Sequence, residues 1–358
     1  MLPSRRRGVL IKYLVTSATY IYIRRIVFYR LIRFLIVLFI GLTTAFIITR
    51  TTPIDPTTNL INRLTASFGA NVLPPETLEE FRKNVMALLG VDKPLYEQYM
   101  GFLFSVFTFK FGPSFTYFPT LASELVARYL PYTVLLLGAA TLISWVVGVF
   151  LGTILSMFEN RFISKLFVNV LLALYPVPLA ILSLSLFLIF AALMPLYNIT
   201  PGGGLVGGVS FSVDLMLNTL SRIWLPALTI IIVSGASWIL GTKGLADAIK
   251  SESFVTFAFV RGLRPGYIIK RYIYRNVLVP QLTALALSLG SIFSGTLIVE
   301  QAFSYPGLGS LLALAVASND HTVILAIVSL SILGVSIAAF LLDVLYPLID
   351  PRIRYGGE

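Results

Sequence analysis

Apolar residues run along this chain in blocks far longer than the one-sided stripe of a soluble helix. A helix needs about 20 mostly apolar residues to cross a hydrocarbon core of about 30 Å. Six stretches meet that requirement: Leu31–Thr49, Tyr132–Phe158, Leu166–Met194, Ile223–Leu240, Val277–Ile298 and Val323–Leu345. Pro131 precedes the second, in the first-turn position that proline tolerates, while Pro176 and Pro178 interrupt the third. Their length and uniform apolarity exclude the short alternating strands of an outer-membrane barrel. The pattern predicts an all-α integral membrane protein with six transmembrane helices.

Polar positions concentrate between the spans in two places. In residues 50–130, Pro74 and Pro75 precede Glu76, Glu79 and Glu80 as at a helix start, and Leu78, Phe81, Val85, Leu88 and Leu89 form an apolar face. Pro94 opens a further helix bearing Tyr96, Tyr99 and Leu103, and the aromatic run from Phe102 to Phe118 suits a membrane-interface belt. Residues 242–276 are short and basic, and Gly262, Pro265 and Gly266 divide them into helical stretches Lys243–Val260 and Tyr267–Val277. Anionic lipid headgroups or a protein partner could each receive that charge. Within the N-terminal segment 1–30, Leu10, Tyr13, Leu14 and Tyr20 share one face of a helix expected to lie on the membrane surface. No small-residue cleavage site precedes Arg24, so a secretory leader is not expected there.

Composition sharpens this. Only 12% of residues are charged, against about 25% in a soluble domain, so most of the surface must face lipid. The net charge of +11 is unevenly placed: 19 of the 27 Lys and Arg residues fall in 1–33, 157–165, 242–276 and 347–358. That excess predicts a multi-pass protein of the cell membrane with both termini cytoplasmic, 50–130 extracytoplasmic, and 347–358 a cytoplasmic tail. The basic balance thus reads as membrane topology, with lipid as partner and no nucleic acid. There is no cysteine and a single histidine, His321, so thiolate or His-His metal sites and a cysteine nucleophile are excluded. The chain also lacks a G-x-x-x-x-G-K-[ST] phosphate loop and cannot hold ATP in that manner.

The basic segment carries a specific pattern. Phe254-Val-Thr-Phe-Ala-Phe-Val-Arg-Gly-Leu263, followed by Tyr272-Ile-Tyr-Arg-Asn-Val-Leu-Val-Pro280, resembles the coupling segment of ABC-transporter permeases. It is most similar to the dipeptide/oligopeptide branch, B-type subunit, whose pattern is approximately Y-V-x-x-A-x-x-K-G-L…H-x-L-R-N-x-L-x-P. Gly90-Val-Asp-Lys-Pro-Leu95 with Gln98-Tyr99, Leu225-Pro-Ala-Leu228, Ser304-Tyr-Pro-Gly-Leu-Gly309 and Asp350-Pro-Arg352 match further family motifs in family order. Thr256 stands where the family's acidic residue opens the coupling motif, and Phe257 and Phe259 replace small residues.

The resemblance implies a type I importer permease that forms half of a translocation path for di- or oligopeptides, with oligosaccharides or chelated nickel as other cargoes of similar permeases. Implied partners are a C-type permease in a heterodimer, two ABC ATPase subunits that bind ATP and magnesium, and an extracytoplasmic solute-binding protein. No cofactor is expected on this chain, and it is not expected to be an enzyme. Phe254, Val255, Thr256, Phe257, Ala258, Arg261, Gly262, Leu263 and Arg264 would carry the coupling, with the phenylalanines and Val255 as apolar knobs and Gly262 turning the chain.

Other residues admit two readings. Ser288, Ser291, Ser294 and Thr296, with the bend at Pro176, could line a path or merely pack helices closely. Asp343 near the end of the sixth span is read as structural, and Glu300 as a surface or loop-anchoring group. An ion-coupled transporter working alone would show mid-membrane charge clusters or an inverted repeat, and a membrane enzyme would show a catalytic set; neither is evident.

Overall fold

The computed structural model describes residues 4–51, 92–193 and 213–349, with eight positions between 76 and 90. Pro74, Pro75, the apolar face from Leu78 to Leu89, and Asp350–Arg352 lie outside the described residues. The helices are α1 (Ser4–Thr51), α2 (Leu95–Thr108), α3 (Ala122–Met157), α4 (Phe162–Leu174), α5 (Leu179–Leu193) and α6 (Val213–Lys250). They continue with α7 (Ser253–Val260), α8 (Pro265–Ile268), α9 (Tyr274–Gly290), α10 (Leu297–Ala302), α11 (Leu308–Ala317) and α12 (His321–Ile349).

Among the described residues, five helices are long and apolar enough to cross a membrane: Val27–Thr51, Ala122–Met157, Ile223–Lys250, Pro265–Phe293 and His321–Val344. A bent pair supplies the sixth candidate crossing. The α4 and α5 axes meet at 100°, and at about 1.5 Å per residue neither helix alone covers the hydrocarbon core. Pro176 and Pro178 explain the break, because two prolines in three residues remove two helical N–H donors and crowd the preceding turn. With the pair counted as one, the six-span all-α architecture stands; what the sequence suggested as an interrupted span is a sharp corner.

Several expected boundaries move. The first helix runs unbroken from Ser4 to Thr51, so the segment expected to lie separately on the surface is continuous with the first span. No proline lies within those 48 residues to stop it. Pro131 is internal to α3, which begins nine residues earlier at Ala122. The stretch expected as Lys243–Val260 breaks after Lys250: Ser251 Oγ donates to the Ala248 carbonyl (2.7 Å) and Glu252 turns extended. The fifth span ends at a 3₁₀ turn, Ser291–Ser294, and Gly295 (φ +70°), so Leu297 and Ile298 belong to α10.

Helix α3 is central and pairs most extensively with α6. Lipid tails offer no hydrophobic drive between spans, so close backbone approach must supply the attraction. A Cβ on Gly148 would lie 2.4 Å from Trp238 Cβ, and one on Gly152 would lie 2.6 Å from the Ile239 carbonyl. Around this pair, Leu38, Leu42 and Phe46 of α1 pack with Val106, Leu311, Val323 and Ile327. Tyr132, Leu136, Ile223, Ile292, Val299 and Tyr305 form a second core. Ile32, Leu35, Ile36, Phe39 and Ile40 remain exposed on α1, as lipid-facing side chains require.

Candidate functional site

The sequence-predicted coupling residues occupy the end of the bundle where α3 and α6 finish. The eight-residue α7 presents two faces there. Val255 and Ala258 point inward into a core with Val149, Ala246, Ile268, Ile273 and Val277. Val255 is therefore not an outward knob: it is fully buried and anchors the helix. Phe257 (62% exposed), Val260 (78%), Phe254 and Phe259 face outward. Phe254 stacks on Tyr272 with ring centroids 6.5 Å apart, and the Arg261 guanidinium lies 5.8 Å from the Phe257 ring. Thr256 is exposed and donates weakly back to the Glu252 carbonyl (3.3 Å).

The end of α7 is closed by backbone geometry. Gly262 sits at φ +71°, its N–H donates to Phe259 O (2.9 Å), and Leu263 N–H reaches Ala258 O (3.3 Å). This pair of bonds is the Schellman closure, completed by Leu263 packing on the same core as Ala258. The Arg264 carbonyl then accepts from Tyr267 and Ile268, starting α8 at once. The aromatic face is thus held by a rigid helix–turn–helix rather than by a loop. Exposed Arg261, Arg264, Lys270 and Arg271 border it.

Polar contacts at this end join α6 to α3 and to the segment after it: Asp247 near the end of α6 accepts from Ser156 Oγ and Lys243 Nζ, both at 2.5 Å, and Lys250 pairs with Glu159 at 2.7 Å. The platform itself meets both spans through its apolar core, which Val255 and Ala258 share with Val149 of α3 and Ala246 of α6. At the same end, Arg33 and Asp343 approach to 3.9 Å, joining the first and last spans and giving the acid a structural partner.

The candidate path residues lie on two sets of helices that share α6 as a neighbour. Pro176 lies at the α4–α5 corner, on helices that pack against α6 and α10, whereas Ser288 lies on α9, which packs against α3, α6 and α12. Ser291 Oγ donates to the Ser288 carbonyl (2.7 Å). Thr296 Oγ1 is buried without a hydrogen-bond partner among the described residues. The side chain of Ser294 lies outside the described residues.

Two acids are buried at the far end of the bundle, one of them unmarked in the sequence reading. Glu300, expected as a surface or loop-anchoring group, is fully buried and anchors the loop that follows it. Its carboxylate accepts from Thr133 Oγ1 (3.1 Å) and Ser310 N–H (2.9 Å), and Thr133 in turn accepts from Leu308 N–H (2.7 Å). Burial pushes its carboxyl up, while these hydrogen bonds pull it back down. The Ser304–Gly309 motif wraps this group: a Cβ on Gly307 would lie 2.3 Å from the Glu300 carboxyl. Asp320, also fully buried, accepts from Ser114 Oγ (2.5 Å) and Thr116 N–H (2.9 Å), and caps α12 through Val323 N–H (3.2 Å). An Asp immediately before an apolar run is an N-cap signal that could have found it.

Residues 146–355 match the family described as binding-protein-dependent transport system inner membrane component. The chain belongs to this family. The match begins within α3 and takes in the bent pair, the α7 platform, Glu300 and Asp320, while the acids' partners Thr133, Ser114 and Thr116 precede it. Over 92% of its length the permease is 28% identical to the oligopeptide transport system permease protein OppB of Haemophilus influenzae, covering 99% of that protein. It is 27% identical to the same-named protein of Escherichia coli strain K12, over 89% of this chain and 95% of the relative. These relatives extend the similarity through the first span and the segment after it, beyond the family match. The protein is a multi-pass membrane permease component of a binding-protein-dependent import system, and the relatives are transport proteins rather than enzymes.

Proposed function

We propose that this permease is the B-type half of an ATP-driven importer of oligopeptides, and that α7 transmits nucleotide-driven motion of a separate ATPase subunit to the spans. The observation that carries the coupling reading is an outward aromatic face on a helix whose inner face is locked by Val255 and Ala258. Burying one such aromatic side chain against a partner contributes about 1.5–3 kcal/mol, so Phe254, Phe257 and Phe259 together can hold a groove. Anchored below, the same helix can carry force into α3 and α6 through the core it shares with Val149 and Ala246, while Asp247 and Lys250 hold the ends of those spans together. Arg261 and Arg264 would pair with acidic groups at the groove rim; this end and both termini would then be cytoplasmic, a reading that the positive-charge bias supports.

A C-type permease would complete the path, two ATPase subunits would bind ATP and magnesium, and an extracytoplasmic solute-binding protein would deliver peptide at the far end. The names of the relatives support peptide as cargo. Ser288, Ser291 and the corner at Pro176 would face the path only once the second permease is in place. Affinity purification of the full chain from its own membranes in mild detergent tests the assembly, and peptide-stimulated ATP hydrolysis by the reconstituted complex tests the cargo. Recovery of ATPase subunits, with hydrolysis rising on addition of loaded binding protein, is the expected result. Isolation of the chain alone, under conditions that keep other importers intact, would overturn it.

A further inference from the structure

We infer that the far end of the bundle contains a binding site for a small carboxylate, separate from the coupling platform. A cavity of about 250 Å³ lies between the last turn of α1, the first turns of α2 and the start of α12. Arg50, Gln98, Ser105 and His321 line it, with Lys93 and Glu97 at its exposed rim. Two nitrogens there lack a hydrogen-bond partner among the described residues: Arg50 Nε and His321 Nδ1. His321 is only 5% exposed, so water does not readily serve it. A buried polar nitrogen left unpaired is destabilising, and more so if charged, a penalty that an acceptor bound in the cavity would remove.

The charge pattern selects an anion. Asp320 is adjacent in sequence, but its carboxylate is already committed to Ser114, Thr116 and Val323 and does not pair with Arg50. Arg50 instead lies 5.5 Å from the Phe46 ring. The cavity also faces the start of the 29-residue α12, whose N-terminal end favours negative charge. A guanidinium and an imidazole carrying its proton on Nδ1 together suit the two oxygens of one carboxylate. Glu97 at the rim opposes a dianion and tolerates a positively charged tail, so the preferred class is a monocarboxylate, including amino-acid zwitterions.

His321 is the chain's single histidine, so it is its own reporter. The full chain, labelled with ¹⁵N-histidine, purified without a polyhistidine tag and held in uncharged maltoside micelles, is titrated with acetate, glycine, phosphate and ethylammonium. We expect a saturable imidazole shift with acetate or glycine, and half-saturation at least about tenfold weaker in Arg50→Gln, the loss of one charge-assisted hydrogen bond. Gly101→Leu provides a second variant that keeps Arg50: Gly101 borders the cavity, an added Cβ meets nothing within 4 Å, and the larger side chain should abolish the shift. No saturable shift with either carboxylate, a response to phosphate or ethylammonium alone, or a shift unchanged in Gly101→Leu would each overturn the site.

Discussion

At one end of the permease, α7 buries Val255 and Ala258 and leaves four large apolar side chains in the open; at the other, Glu300 and Asp320 are buried and bonded from several sides. The two regions are stabilised by opposite means. The Glu300 centre satisfies its own polar groups and gains nothing from a partner, so its contribution is internal. The α7 platform is fixed from below and exposed above, and under the proposed coupling its remaining stabilisation would come from the ATPase subunit. Substitutions should therefore separate: at the carboxylate centres they should unfold the chain, and on the outer face of α7 they should leave it folded but alone.

The largest effect is expected at Glu300. Glu300→Ala strands Thr133 Oγ1 and Ser310 N–H in a buried site and should cost about 3–5 kcal/mol, whereas Glu300→Gln keeps an acceptor and should cost less. Heat-induced loss of the monodisperse size-exclusion peak ranks the two; equal stability of Glu300→Ala and the parent would break the comparison. Asp320→Ala removes the α12 cap and the links to Ser114 and Thr116, for about 2 kcal/mol in the same assay.

At the α7 end, Gly262→Pro should retain membrane insertion but uncouple ATP hydrolysis from peptide uptake, because proline cannot adopt φ +71°. Uptake at the parental level would count against α7 as the coupling element. The smallest stability changes are expected for Phe257→Ala and Arg261→Glu, within about 0.5 kcal/mol since both side chains are exposed. Both should reduce recovery of ATPase subunits in pull-downs at unchanged membrane yield; a fall in stability matching that at Glu300 would erase the distinction between the two ends.

The legible parts of this protein were those that lipid or local chemistry dictates. Apolar length predicts the spans because hydrocarbon thickness sets it, and Gly262 is readable as a helix end because a positive φ favours glycine. Pro176 and Pro178 announce an interruption, but not a 100° corner, which depends on how α4 and α5 separately pack. Glu300 looked like a loop residue because nothing in its neighbours reveals Thr133, more than 160 positions earlier, as its hydrogen-bond donor.

From sequence alone, then, come the all-α membrane architecture and the charge asymmetry, since each rests on composition; the coupling reading of residues 254–264 comes from a family resemblance and is a proposal. Only the tertiary structure decides which face of α7 is anchored and which is offered. It alone turns Ser304–Gly309 from a glycine-rich motif into a cradle for a buried carboxylate, and places Arg50 and His321 on one cavity. The physical reason is range: lipid solvation and backbone torsion act locally, whereas the pairing of a buried charge depends on which distant helix arrives beside it.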